Sequence, residues 1–149
     1  MEIMKANDKH CGPVCIARKL GIDVEAVMQQ WPSKWSDKQK DTNWLGLPID
    51  THWHHKAYFK EKGYGMTMLD KPEVGAIVLL NKTMWQRHWC IVKSVGNLVV
   101  MVDWLNGKEI AFNKIEFDQL FSTWPCFMYK IGGEPVELSL FERLILKVL

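Results

Sequence analysis

Three residues have the types that nucleophilic chemistry needs: Cys11, His88 and Asp103. The run Gly12-Pro13-Val14-Cys15-Ile16-Ala17-Arg18-Lys19-Leu20-Gly21 reads as a short helix. Pro13 suits its first helical position and Gly21 the residue just past its end. Cys11 then sits at the helix N-terminus, beside unpaired N–H groups and the positive end of the dipole. That setting lowers a thiol pKa from about 8.5 toward the ~3.5–7.5 range of reactive cysteines. Cys15, one turn later, points to the packed side. Taken alone, each residue also has a plain role: a buried Cys acts as a small hydrophobe, and a strand-end Asp starts a turn. Their chemistry depends on whether the fold brings them together.

The elements that must do so are legible as patterns. A second helix is expected over residues 23–31, ending at Pro32, and a third over 49–62, capped by Gly63. Residues 33–43 are polar and read as an exposed loop. β-rich runs follow at 76–80, 89–92 and 98–102. Gly96-Asn97 and Asn106-Gly107 are hairpin turn signals. A two-residue turn at Gly96-Asn97 sets Cys90 opposite Asp103 and His88 opposite Leu105. His88 and Asp103 then share one face as diagonal neighbours, about 7–8 Å apart or less, within reach of a ring and a carboxylate. The carboxylate can orient the imidazole, and the imidazole can pair with a thiolate. A short helix at 114–121 and a last strand at 127–131 complete the pattern. Helices first and an antiparallel meander second make an α+β domain.

Ser139-Leu140-Phe141-Glu142 matches a capping box, so another helix starts there. Phe141, Leu144, Ile145 and Val148 form its apolar stripe, widened by Leu140 and Leu149. Residues 1–133 are thus expected to form the main domain. Residues 134–149 form an amphipathic helix that packs on it or docks a partner, including a second copy of the chain.

Several segments resemble the bacteriocin-processing peptidases, a papain-like group that cuts after double-glycine leaders. His10-Cys11-Gly12-Pro13-Val14-Cys15-Ile16-Ala17 is similar to their nucleophile helix, which reads Cys-Gly-x-x-Cys/Ala-Leu-Ala. Trp44-Leu45-Gly46-Leu47 resembles the apolar segment before their third helix, and Glu73-Val74-Gly75-Ala76-Ile77-Val78 their Pro-Ala-Ile strand. His88-Trp89-Cys90-Ile91-Val92 resembles the strand bearing the catalytic His, and Val100-Met101-Val102-Asp103 the strand ending in the catalytic Asp. The resemblance covers residues 3–131. It implies a papain-like fold, a Cys11 nucleophile, a His88 general base and acid, and an Asp103 orienting residue. The family's oxyanion Gln, six residues before the Cys, is Lys5 here, which leaves Lys5 and Asn7 as the oxyanion candidates. Gly12, Trp89 and Trp104 are the candidates for the walls of a substrate groove. The resemblance is to short stand-alone proteins of this type, which occur in bacteria and phages.

The chain has 149 residues, with 48% hydrophobic and 24% charged, enough to bury a core without a metal or disulfide staple. A net charge of +2 with no basic stripe argues against nucleic acid as a partner. No apolar run reaches the length of a membrane span. The N-terminus lacks a signal-peptide h-region, so the expected compartment is the cytoplasm, the host's if the protein is phage-encoded. The four cysteines then stay reduced. Eight Trp either fill the core or wall a groove. His52-Trp53-His54-His55 lacks a completing ligand for zinc and reads as an exposed helical face; no metal and no cofactor is expected. Gly132-Gly133 reads as a turn.

The sequence therefore points to a cysteine hydrolase that cleaves a peptide or isopeptide bond of a protein substrate. The alternative is a weak or inactive relative that binds and inhibits a protein partner.

Overall fold

A computed structural model describes residues 11–33, 50–83, 86–103, 107–123, 126–135 and 137–149; at 81–83, 86–87, 103 and 121–123 it describes the backbone only. Lys5, Asn7, Trp104, Leu105 and the apolar segment at Trp44 lie outside the described residues, as does the expected loop beyond Ser33.

Among the described residues the chain forms α1 (Cys11–Leu20), α2 (Val24–Gln29) and α3 (His52–Glu61), then β1 (Met66–Met68), β2 (Ile77–Thr83), β3 (Gln86–Val95), β4 (Leu98–Asp103) and β5 (Lys108–Asn113). Helix α4 (Lys114–Thr123), β6 (Phe127–Ile131) and α5 (Leu140–Val148) follow. The strands make one six-stranded sheet in the order β1-β6-β2-β3-β4-β5, with every pairing antiparallel. This is an α+β fold.

The alternation of side chains along each strand sorts the core into two layers. One face of the sheet presents Ile77, Leu79, Trp89, Ile91 and Tyr129. Against it pack Cys11, Cys15, Ile16 and Ala17 of α1, Val27 of α2, Trp31, and Tyr58 and Phe59 of α3. The other face presents Ala76, Val78, Cys90, Val92, Val99, Met101 and Met128, covered by Phe117 of α4. Trp31 and Trp89 are buried, so these two tryptophans fill the core.

The β3–β4 hairpin reaches the expected register by an unexpected route. Next to the turn, Val95 pairs with Val99 and Ser94 with Val100, one residue out of step with a two-residue hairpin. A bulge between Val92 and Ser94 takes up the extra residue. Beyond it, Val92 pairs with Met101 and Ile91 with Val102, the pairing a two-residue turn would give. Two deviations cancel.

Gly132 and Gly133 adopt φ of 145° and 76°, a region side chains rarely enter. Gly132 N–H donates to Gly65 O at 2.9 Å, and Gly65 N–H donates to Gly133 O at 3.2 Å. The pair acts as a turn after β6.

The capping box of α5 forms in full. Ser139 Oγ accepts from Glu142 N–H at 3.1 Å, and Glu142 Oε1 accepts from Ser139 N–H at 3.0 Å. Helix α3 starts later than its sequence suggests, at His52, because Thr51 serves as its N-cap.

Candidate functional site

Cys11 opens α1, and the group that meets it there is a carboxylate from a distant part of the chain. Asp50 Oδ2 accepts from Gly12 N–H at 3.0 Å and lies 3.9 Å from Cys11 Sγ, which donates to it. An anion at this position satisfies an end N–H of the helix and complements its dipole. A Cβ on Gly12 would stand 1.9 Å from Asp50 Oδ1, so only glycine allows the approach.

The second oxygen of the carboxylate is held by a histidine. His55 Nε2 lies 2.8 Å from Asp50 Oδ1, with side chains 0% and 4% exposed. Trp89 fixes both partners. Its ring stacks on the His55 ring with centroids 3.6 Å apart, and its Nε1–H donates to Asp50 O at 3.3 Å. The Trp31 ring meets His55 edge-on at 5.3 Å. Neighbouring His54 is equally buried. Its Nδ1 lies 2.7 Å from Thr51 Oγ1, and its Nε2 lies 2.8 Å from Ser33 Oγ.

The expected exposed face on His52-Trp53-His54-His55 is therefore corrected: His54 and His55 are fully buried and His52 half-buried. Polar residue types suggest solvent, but Asp50 and Thr51 hydrogen-bond these rings, which makes burial tolerable. Composition gave no sign of this partnership. The signal that could have found it is the capping residue Thr51 before a helix, with His54 at its third position and Asp50 alongside.

Cys15 is buried, and its Sγ donates to Cys90 O at 3.6 Å. Burial pushes its thiol pKa well up, and the nearby Cys90, Cys11 and Asp50 push it further.

His88 pairs with Leu80, and Leu80 packs on the α4 side of the sheet. His88 thus lies on the face that carries Cys90 and Val92, while Cys11 and Trp89 share the face that α1 covers. The residues after Ile91 and Val102 toward that end of the hairpin are Cys90 and Asp103. The Asp103 side chain lies outside the described residues. Among the described residues, no three His, Cys, Asp or Glu side chains gather as a metal would require. No described helix is long and apolar enough to cross a membrane.

Fold and site together define an α+β domain with a buried thiol–carboxylate–imidazole cluster at a helix N-terminus. No protein-family model and no curated protein sequence matches the chain.

Proposed function

We propose that the chain is a cysteine hydrolase that cleaves a peptide or isopeptide bond, with Cys11 as nucleophile. The observation that carries this reading is the contact of Cys11 Sγ with Asp50, whose carboxylate is in turn held by His55. A thiol, an acid–base pair and a helix N-terminus in one place are the parts that thiol catalysis needs.

The chemistry follows in four moves. The Cys11 proton passes to the Asp50–His55 pair. The thiolate attacks the carbonyl carbon and a tetrahedral oxyanion forms. The pair returns the proton to the leaving amine, and the C–N bond breaks. Water then hydrolyses the acyl-enzyme. The resemblance assigns the acid–base role for the same nucleophile to His88 oriented by Asp103 in a papain-like fold, with Lys5 or Asn7 on the oxyanion. His88, however, lies on the face of the sheet opposite Cys11, which favours the Asp50–His55 pair. Gly12 and Trp104 would then line the substrate groove, whereas Trp89, the third groove candidate, is 1% exposed and belongs to the core.

A second reading is favoured by one observation: the thiol donates to a carboxylate, and an anion there opposes the thiolate. On that reading the chain is a peptidase-like protein that binds a partner without turnover.

A glycine-ending peptide vinyl sulfone tests the proposal. The expected result is a covalent adduct on Cys11 that is lost in Cys11→Ser. Loss of labelling in His55→Asn supports the pair beside the thiol, and loss in His88→Ala supports the pair from the resemblance. Absence of any Cys11 adduct leaves the binding-protein reading.

A further inference from the structure

Helix α5 carries exposed apolar residues along one side. It docks on α3 through Lys56, whose Nζ lies 2.9 and 2.8 Å from the two Glu142 carboxylate oxygens. Glu137, just ahead of the helix, pairs with Lys60 at 2.9 Å. Glu142, Ile145 and Leu146 are half-buried. Leu140, Phe141, Leu144 and Val148 are 65%, 66%, 51% and 61% exposed. At 3.6 residues per turn these four share the outward half of the helix with Arg143 and Lys147, both exposed. That half carries no acid, because the helix's one carboxylate, Glu142, is engaged with Lys56.

Charge and size decide what can cover this face. Antiparallel pairing with a second copy would set Arg143 and Lys147 against the same cations, which is repulsive. A stable protein interface needs about 800 Å² from each partner. A helix of nine residues is about 14 Å long, and one face of it offers far less. A bilayer surface sets neither condition. Apolar side chains enter the boundary between headgroups and acyl chains, and rim cations meet anionic headgroups.

We propose that α5 binds reversibly to bilayers that contain anionic phospholipid. The helix lies in the interface plane, with Phe141, Leu144 and Val148 inserted and Arg143 and Lys147 among the headgroups. One short helix gives a weak, reversible attachment. Nothing in this proposal depends on Cys11.

Vesicle flotation of the full chain tests it. The protein is expected to float with vesicles of phosphatidylglycerol and phosphatidylcholine, to float less with phosphatidylcholine alone, and to be released by salt. Phe141→Ser combined with Leu144→Ser should weaken partition by about tenfold or more, because two inserted side chains are lost. Lys147→Glu keeps the stripe and should remove the preference for anionic vesicles. Circular dichroism and a thermal melt check that each variant is folded. No flotation with either vesicle overturns the proposal, as does flotation unchanged in the double variant. Concentration-dependent self-association without flotation, lost in the double variant, also overturns it and puts a second copy on the face.

Discussion

Asp50 and His55 form a buried pair: His55 Nε2 lies 2.8 Å from Asp50 Oδ1, with Trp89 stacked on the imidazole at 3.6 Å. The same carboxylate reaches Gly12 across a separation of 38 residues in sequence. One side chain thus ties the start of α1 to α3 and, through the Asp50 carbonyl and Trp89 Nε1, to β3.

Removal of that side chain should cost much of the stability. Asp50→Ala removes the acceptor of the Gly12 N–H and the carboxylate partner of His55 Nε2 from a buried site. Breaking a buried pair on one side typically costs about 3–5 kcal/mol. Urea unfolding of Asp50→Ala should show a loss in that range, and Asp50→Asn a smaller one. A change below about 1 kcal/mol, the size of an exposed ion pair, would mean the pair carries no weight in the fold.

Gly12→Ala should act through Asp50. The new methyl has to displace the carboxylate, with an overpacking cost of about 1–3 kcal/mol. In an Asp50→Ala background the methyl has room, so the same substitution should cost much less. A double-mutant cycle measures the difference, and strict additivity would rule out the contact as the cause.

Cys15 should resist alkylation at neutral pH. Burial raises its pKa first, with help from the neighbouring Cys90, Cys11 and Asp50. Half-buried Cys126 provides the comparison. Iodoacetamide labelling read by peptide mass spectrometry should modify Cys126 well before Cys15. Equal rates would show that the native α1–β3 packing is open to the reagent.

The docking of α5 should loosen in acid. Burial alone would raise the pKa of Glu142, but hydrogen bonds from Lys56 and Ser139 outweigh it and leave the value lowered. Glu137 is lowered too, chiefly by its hydrogen bond with Lys60. A carboxylate with a depressed folded pKa stabilises fully above its unfolded value, about 4.3 for Glu, and loses that contribution as pH falls through the folded value. The protection of the α5 amides against exchange, measured relative to the intrinsic rate at each pH, should therefore fall below about pH 4.3. Lys56→Met should speed exchange already at neutral pH and flatten the response. A pH-independent α5 in the wild-type chain would contradict the Lys56–Glu142 contact.

Local chemistry made much of the fold legible. The Ser139 capping box announced α5, and β6 falls at 127–131 as its pattern suggests. The edge strands β1 and β5 were hidden. Met66-Thr67-Met68 is too short for a pattern, and in β5 only Ile110 and Ala111 separate flanking polar residues from Phe112. In the candidate site, Cys11 at a helix start was readable from Gly12 and Pro13. Asp50 and His55 were not, because their value lies in a contact across 38 residues and in a Trp from a strand. His54 and His55 look solvent-seeking by type, and only a tertiary partner makes them core residues.

The most direct test of Cys11 as the nucleophile is its alkylation rate across pH in the wild-type chain, His55→Asn and His88→Ala. The expected result is a Cys11 rate at neutral pH well above that of Cys126. The rate should fall in His55→Asn, where the carboxylate that accepts from the thiol loses its imidazole partner. A fall confined to His88→Ala transfers that role to His88 and Asp103. A Cys11 rate no higher than that of Cys126, unmoved by either substitution, would contradict the hydrolase reading.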